Sequence, residues 1–172
     1  MSIKRQWLFG LAGAGLLSLG WLFGFSGGLD QSRLTYASYV TDSQGELLHV
    51  LMADDERYRL KTQPEEVDAS FINLLMAYED QRYYQHHGVD WLAMGRALWQ
   101  LANRGYIVSG GSTLTMQVVR LMEPKPRTVW NKLDQMRKAI ALERSHSKHQ
   151  ILSLYLSLAP YGSNIEGVQM AS

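Results

Sequence analysis

Residues 77–91 read AYEDQRYYQHHGVDW and join two predicted helices. Glu79 and Asp80 stand side by side where the first of these helices ends. A helix turns about 100° per residue, which puts Asp80 opposite the apolar side chains and Glu79 at their edge. We therefore expect Asp80 to be solvated, or turned to cap or bind a group. We expect Glu79 to be partly desolvated, as suits a general base, although an ordinary amphipathic boundary would leave the same pattern.

His86 and His87 stand next to each other before Gly88 and raise the question of a metal. Adjacent histidines in a loop point apart, and neither an HExxH motif nor a cysteine completes a ligand set. We favour a histidine that hydrogen-bonds the backbone at the turn. The sequence therefore predicts no metal site among these residues.

Helical periodicity continues on both sides of this stretch and predicts a mainly α-helical domain over 63–172. Asp90 is expected to cap a helix that stops at Gly105, and Ser147 has capping-box spacing. Further helices are predicted after Asp68, after Ser112 and over residues 128–145. The residues predicted to face the core are Phe71, Leu74, Leu75 and Tyr78 in the first helix and Val129, Leu133, Met136 and Ile140 in the long one.

A small β region is predicted ahead of these helices, over residues 30–62. The segments LTYASYV and ELLHVLM flank TDSQG, which is a turn signal of the hairpin type. The segment RYRL adds a further candidate strand. We find no chemistry in this region and interpret it as a small sheet packed at a membrane.

The N-terminus predicts a membrane anchor. Residues 7–25 carry no charge and a single hydroxyl side chain, and they match the thickness of a bilayer core. Lys4 and Arg5 precede them, so a tail over 1–6 should stay cytoplasmic and the remainder should be exported. We therefore predict a single-pass signal anchor over 7–29, with a cleaved signal peptide as the alternative. Without cysteine, the exported part has to be held together by its core.

The charged residues are segregated along the chain although the net charge is only +1. Residues 41–80 are rich in Asp and Glu, whereas residues 120–148 are rich in Lys and Arg. The predicted helix 128–145 carries Lys132, Arg137 and Lys138. A basic tract beside a membrane indicates either lipid phosphate groups or a solvated face. Nucleic acid is not expected as a partner there.

Residues 109–117 read SGGSTLTMQ and predict a helix start that can bind an anion. Gly110 and Gly111 allow close backbone approach, and helix N-termini attract anions through free N–H groups and the dipole. Arg120 lies two turns along and can reach the same anion. No GK[ST] follows, so this is not a Walker P-loop, and a capped helix after a tight turn is the alternative. The side chains that supply donors are Ser112, Thr113, Thr115 and Gln117.

Three segments together resemble the family 51 glycosyltransferases. EDQRYYQHHG resembles the E-D-x-x-F-x-x-H-x-G motif of that family, and GGSTLTMQ resembles its G-x-S-T-x-T-Q-Q motif. SKHQILSLYLSLAPYG resembles its S-K-x-x-I-L-E-x-Y-L-N motif. The order, the spacing and the predicted anchor agree, and the details look most like the 1C type of class A penicillin-binding protein. The resemblance covers roughly residues 35–172.

The resemblance implies a lysozyme-like, mostly helical fold and a peptidoglycan glycosyltransferase that polymerises lipid II into glycan strands. Glu79 matches the general base, which would deprotonate the sugar 4-hydroxyl of the acceptor. That oxygen would attack the anomeric carbon of the growing strand, and the lipid pyrophosphate would leave. The substrate-binding residues that the resemblance implies are Asp80, His86, Gly110, Gly111, Ser112, Thr113, Gln117, Arg120, Lys132, Gln135 and Lys148.

The resemblance also implies partners and a location. Lipid II, the growing glycan strand and the cytoplasmic membrane are the expected partners, with other cell-wall synthesis proteins as further candidates. The domain is expected on the periplasmic side of the bacterial inner membrane. The motifs require no cofactor, and a divalent cation, Mg²⁺ or Mn²⁺, beside the lipid pyrophosphate is the one candidate.

Four positions depart from the family motifs. Gln135 stands where the R-K-x-x-E-A motif has a second glutamate, and Asn131 replaces its arginine. Gln135 can hydrogen-bond but cannot carry charge or transfer a proton at neutral pH. Met116 replaces the first glutamine of the second motif, and Ser157 replaces an asparagine. The 1C type resembles this chain at the position of Gln135, so that change need not abolish activity.

Family members continue beyond the position of Ser172, so we expect the helical domain to be incomplete. The last predicted helix should then leave Leu154, Tyr155 and Leu158 partly exposed. A truncated, non-catalytic module that binds lipid II or cell-wall partners is therefore the alternative to an enzyme. A lytic hydrolase would also use a glutamate, but the anchor and the basic tract favour a lipid-pyrophosphate donor.

Overall fold

The computed structural model describes residues 29–30, 32, 34–105 and 111–172. In this part of the chain the fold is mainly helical, as predicted, with short strands before and after the main helices. The helices are α1 (Ala69–Glu79), α2 (Trp91–Arg104), α3 (Leu114–Met122), α4 (Val129–Ser145), α5 (Lys148–Leu158) and α6 (Val168–Ala171). The strands are β1 (Ser38–Thr41), β2 (Leu47–Leu51), β3 (Tyr58–Arg59), β4 (Pro160–Gly162) and β5 (Ile165–Glu166).

Side-chain caps fix most helix starts. Asp90 accepts hydrogen bonds from the first turn of α2, and Gly105 ends that helix with a φ of 73°. Ser147 forms the predicted capping box of α5. These three predictions are confirmed. The cap of α3 is wrong by one residue: Thr113, rather than Ser112, accepts from the backbone N–H of Met116.

Helix α1 is rotated relative to the sequence prediction. Leu74 is 57 % exposed and Tyr78 is 82 % exposed, so these two predicted core residues are wrong. A short helix that contacts the core at one edge buries a narrower face than periodicity alone suggests. The α1 residues that pack against the core are Phe71, Ile72, Leu75 and Met76.

The hydrophobic core lies where α3, α4 and α5 pack together. Leu133, Met136 and Ile140 of α4 face this core as predicted. Val129 does not, because α4 begins beyond the edge of the core and leaves this side chain 75 % exposed. The fully buried side chains at the centre are Leu114, Met116, Val118, Ala139, Ile151 and Leu156.

The strands form two small sheets. β1 pairs antiparallel with β2, which confirms the predicted hairpin. β3 pairs parallel with β5, and β5 pairs antiparallel with β4. The β region predicted over 30–62 is therefore joined to the C-terminal strands, and its division from the domain over 63–172 stays a prediction.

Arg59 links the β region ahead of α1 to the strands that follow α5. Its buried guanidinium donates to Glu166 at 2.7 Å, to Asp55 at 2.9 Å and to the backbone oxygen of Thr35 at 2.6 Å. A buried charge requires partners of this kind, since desolvation without them is costly. The short sheet β3–β5–β4 is thus held by an ion-pair network as well as by its backbone.

The apolar face of α5 is more covered than the sequence predicts. Leu154 and Tyr155 are half-buried, in agreement with the prediction, but Leu158 is only 2 % exposed. Leu158 lines a cavity of about 260 Å³ together with Leu34 and Leu121. The segment ahead of β1 and the end of α3 therefore cover it.

The predicted cytoplasmic tail over 1–6 and the predicted anchor, up to residue 28, lie outside the described residues. Leu29 is described, and its side chain packs against the core. Across the residues that can be described, no helix has both the length and the apolar composition of a membrane span.

Candidate active site

Glu79 lies at the C-terminal end of α1 and is exposed. The expectation that Glu79 is partly desolvated is therefore wrong for this structure, because α1 leaves its last turn outside the core. One of its carboxylate oxygens is held: Gln117 of α3 donates from Nε2 to Glu79 Oε2 at 2.8 Å. Among the described residues the other oxygen has no hydrogen-bond partner. The structure thus brings together two of the predicted site residues.

Asp80 has the opposite surroundings, since it is buried. His86 Nε2 lies 2.9 and 3.0 Å from its two oxygens, and the backbone N–H of Leu114 donates to Oδ2 at 2.9 Å. The prediction of a solvated Asp80 is wrong, and the alternative of a side chain turned to bind a group is confirmed. Asp80 follows the last residue of α1, so the helical rotation used in the prediction no longer applies to it. Its oxygens hold the start of α3.

His86 is buried against Asp80 and does not hydrogen-bond the backbone as we had expected. A carboxylate only accepts, so Nε2 carries the proton in this contact. Nδ1 is buried and has no hydrogen-bond partner among the described residues. In the same residues no cluster of three His, Cys, Asp or Glu side chains could hold a metal ion.

Gly88 fixes the loop between α1 and α2. Its φ is +90°, and a Cβ placed there would lie 2.6 Å from the backbone carbon and oxygen of Ala139 in α4. Thr113 adds a second link, because its Oγ1 donates to the Gly88 oxygen at 2.6 Å. The glycine therefore allows the loop to lie directly on α4, where both Asp80 and Thr113 can hold the start of α3.

Two cations lie beside α3, Lys132 near its start and Arg120 in its last turn. Lys132 is half-buried, and its Nζ donates to Ser112 Oγ at 2.5 Å. Burial lowers the pKa of Lys132 from its usual value, and the nearby positive charge of Arg120 lowers it further. Arg120 is exposed, three residues after Gln117 on α3. In the described structure neither cation forms a salt bridge with a carboxylate.

Of the two glycines ahead of α3, the structure describes Gly111. Gly110 lies outside the described residues. Gly111 packs against α2, where a Cβ would lie 3.3 Å from Met94 Cα. A side chain added at Gly111 would therefore crowd the backbone of α2.

The rest of the predicted basic face on α4 is engaged in ion pairs. Arg137 contacts Asp134 at 2.9 Å, and Lys138 contacts Glu123. Lys125 bridges to Asp134 at 2.8 Å. Of the α4 cations we singled out, Lys132 is thus the one whose contacts are compatible with an incoming anion.

Lys148 is held inside the fold. Its Nζ contacts Glu143 Oε1 at 2.7 Å and lies 4.4 Å above the ring of Tyr83. Thr115 also donates to Glu143 Oε1, at 2.6 Å. The side chains of Lys148 and Glu143 are largely shielded from solvent, so this cluster positions α3, α4 and α5 relative to one another.

Sequence reasoning missed Glu143 and Tyr83. The Tyr83 hydroxyl donates to the backbone oxygen of Lys148 at 2.6 Å, and burial raises the pKa of that hydroxyl. A signal existed, because tyrosine stands where the family motif has phenylalanine and a buried hydroxyl requires a partner. Tyr155 was also missed as a neighbour of the site: burial first, and then the charge of Glu79, raises its pKa to about 12.

The comparisons with known proteins identify the family. A family model described as Transglycosylase matches residues 44–172. Penicillin-binding protein 1C of Escherichia coli is 42 % identical over 118 residues, which are 69 % of this chain and 15 % of that protein. Penicillin-binding protein 1F of Bacillus subtilis is 32 % identical over 148 residues, 84 % of this chain and 20 % of that protein.

A shorter relative is also found. The biosynthetic peptidoglycan transglycosylase of Pasteurella multocida is 38 % identical over 114 residues, which are 63 % of this chain and 44 % of that protein. The chain therefore spans a fifth or less of the two penicillin-binding proteins and less than half of the shorter relative. The resemblance stated from the motifs is confirmed, and because the family match covers well over half of its residues, the chain belongs to the transglycosylase family.

Proposed function

We propose that this chain is the glycosyltransferase part of a peptidoglycan glycosyltransferase, which polymerises lipid II into glycan strands. The observation that carries this proposal is that an exposed carboxylate, Glu79, and two cations, Arg120 and Lys132, lie around the same helix, α3. Gln117 holds one oxygen of Glu79, and within the described part of the chain the other oxygen has no partner. Arg120 lies on the same helix as Gln117, and the positive charge of Arg120 acts to lower the pKa of both Lys132 and Tyr155. The Pasteurella multocida relative, a biosynthetic peptidoglycan transglycosylase, supports the same reaction.

In the proposed reaction Glu79 accepts the proton of the sugar 4-hydroxyl of the acceptor. The hydroxyl oxygen forms a bond to the anomeric carbon of the donor strand, while the bond from that carbon to the pyrophosphate oxygen breaks. Arg120 and Lys132 stabilise the negative charge that develops on the leaving pyrophosphate. Burial lowers the pKa of Lys132 from its usual value, and an incoming anion would favour the charged form of this buried amine.

A divalent cation held by the protein does not fit this set of residues. Mg²⁺ requires several oxygen ligands, whereas the described groups around the site offer one open carboxylate and two cations. The charge of the pyrophosphate is assigned to the side chains instead.

The exposed face of α2 supports the proposed membrane location. Trp91, Leu92, Leu98 and Trp99 are 58–69 % exposed. The helix contains Arg96 and Arg104 and no Asp or Glu, which is typical of a helix that lies in the interface of an anionic bilayer. We infer that this face lies against the outer leaflet of the cytoplasmic membrane, next to the lipid-linked substrate. The single-pass anchor and the lysozyme-like fold belong to the same proposal.

Single cysteines test the membrane contact, because the chain has none of its own. Leu98→Cys, labelled with an environment-sensitive dye in anionic vesicles, should show a blue-shifted emission that spin-labelled lipid quenches. The matched control is Asp54→Cys, on the exposed segment after the hairpin, which should emit as in water. Equal emission from both labels would exclude the α2 face as the contact.

Glu79→Gln tests the reaction. Loss of the base should lower the rate of glycan strand formation from lipid II by about 10²–10⁴-fold. Glu46→Gln is the control, since it removes an exposed carboxylate from the hairpin region. The comparison uses the full chain in detergent and a longer version of it, since the chain spans less than half of the Pasteurella multocida relative. Binding of lipid II without turnover in both would favour a non-catalytic module.

A further inference from the structure

Gln135 makes a contact that an ionised carboxylate could not make. Its Nε2 donates a hydrogen bond of 2.5 Å to the backbone oxygen of Met116 in α3. A carbonyl oxygen only accepts, so the group at position 135 has to be a donor. The side chain is half-buried, which makes the contact stronger and its loss more costly than on an open surface.

This contact lies one residue from the hydrogen bond that holds the proposed base. Gln117 follows Met116, and its amide donates to Glu79. One turn earlier on α4, Lys132 donates to Ser112, just ahead of α3. Two side chains of α4 therefore fix the start and the middle of α3, and α3 carries the amide that contacts Glu79.

We propose that Gln135 is a positioning residue, which holds α3 on α4 and so sets where Gln117 meets Glu79. The proposal rests on the proposed function, in which Glu79 is the base. It replaces the substrate contact expected for Gln135 with an internal one. The site then works with a single carboxylate, because both oxygens of Asp80 are engaged by His86 and Leu114.

Two substitutions in the full chain test the contact by thermal unfolding. In Gln135→Glu the ionised carboxylate faces the Met116 oxygen, whereas its protonated form can donate. We expect a Tm about 3–9 °C below the parent at pH 7.5. The difference in Tm should be smaller at pH 5. The carboxyl group introduced at position 135 should have a raised pKa in the folded state, so the lost stability returns as the pH falls through that pKa. Gln135→Met keeps the length of the side chain but removes the hydrogen-bond donor. Its Tm should therefore fall below that of the parent by the same amount at both pH values.

Gln81→Glu is the matched control. Gln81 also donates from its amide to a backbone oxygen, that of Ala77, but it is exposed. Its replacement should therefore leave the Tm close to the parent at both pH values. A Gln135→Glu protein that melts like the parent at pH 7.5 would overturn the contact on which the proposal stands.

Polymerisation of lipid II separates positioning from substrate binding. Gln135→Met should lower kcat by about tenfold or more with little change in KM, since a misplaced base slows the chemistry rather than the binding. A raised KM at unchanged kcat would make Gln135 a substrate contact, and a faster Gln135→Glu would make the position an acid site; each result overturns the proposal. If the parent protein is folded but makes no glycan strands, that result counts against the proposed function. Thermal unfolding of the variants then decides by itself whether Gln135 holds α3.

Discussion

Glu79 and Asp80 are adjacent in sequence, but they contribute to the site in different ways. Glu79 is exposed and held by a single amide, whereas Asp80 is buried and accepts from His86 and from the first turn of α3. A carboxylate at a helix N-terminus is stabilised by free N–H groups and by the helix dipole. In the proposed reaction Glu79 is therefore the base, whereas Asp80 holds the start of α3.

Asp80→Asn should test this difference at the level of stability. The amide keeps one acceptor but turns two N–H donors toward His86 and Leu114, so we expect the free energy of unfolding to fall by about 1–3 kcal/mol. Glu79→Gln should stay within about 0.5 kcal/mol of the parent, because the side chain is exposed. Urea unfolding of the two variants measures the contrast, and equal losses would contradict the assignment of Asp80.

Lys132 gives a prediction for alkaline pH. Its folded pKa lies below its usual value, so the charged form is disfavoured in the folded state. The free energy of unfolding should therefore be reduced at neutral pH. It should rise as the pH increases from the lowered pKa of Lys132 toward the ordinary value near 10.5. Lys132→Met should abolish this alkaline rise in urea unfolding. The same variant should bind lipid II more weakly, and high salt should weaken binding by the parent.

At the scale of elements, most boundaries set by caps could be predicted from sequence, whereas the limits of the buried helix faces could not. Asp90, Gly105 and Ser147 act through their own backbone neighbours, so local sequence contains the information. The burial of Leu158 and the exposure of Val129 depend on what packs against them. The same limit applies to the site, where the motifs named Glu79 and Gln117 individually but not their hydrogen bond.

The loop between α1 and α2 gives an element-scale prediction. Gly88→Ala places a methyl group 2.6 Å from the α4 backbone and also forces a positive φ on a residue with a Cβ. We expect a loss of at least about 3 kcal/mol in the free energy of unfolding. Gly45→Ala is the control, because Gly45 has nearly the same φ of +87° and no atom within 4 Å of the added Cβ. Its loss should be about 1 kcal/mol, so equal losses would exclude close approach as the cause.

At the scale of the whole molecule, Arg59 connects the N-terminal β region to the strand that follows α5. Replacing Glu166 with Gln leaves a buried guanidinium with Asp55 as its remaining carboxylate. We expect the free energy of unfolding to fall by about 2–3 kcal/mol, somewhat less than for a buried ion pair with no second acid. Asp134→Asn, which weakens a more exposed cluster on α4, should cost about 1 kcal/mol or less in the same urea titration.

The pairing of β3 with β5 has a consequence for the order in which the chain folds. Tyr58 and Arg59 meet Ile165 and Glu166, so the two strands are separated by roughly a hundred residues of intervening helix and loop. During synthesis the edge of β3 has to wait until the strands after α5 leave the ribosome. Contacts between residues far apart in sequence form late and slow the overall rate. The helices α3, α4 and α5 are neighbours along the chain, so we expect them to assemble before this small sheet closes.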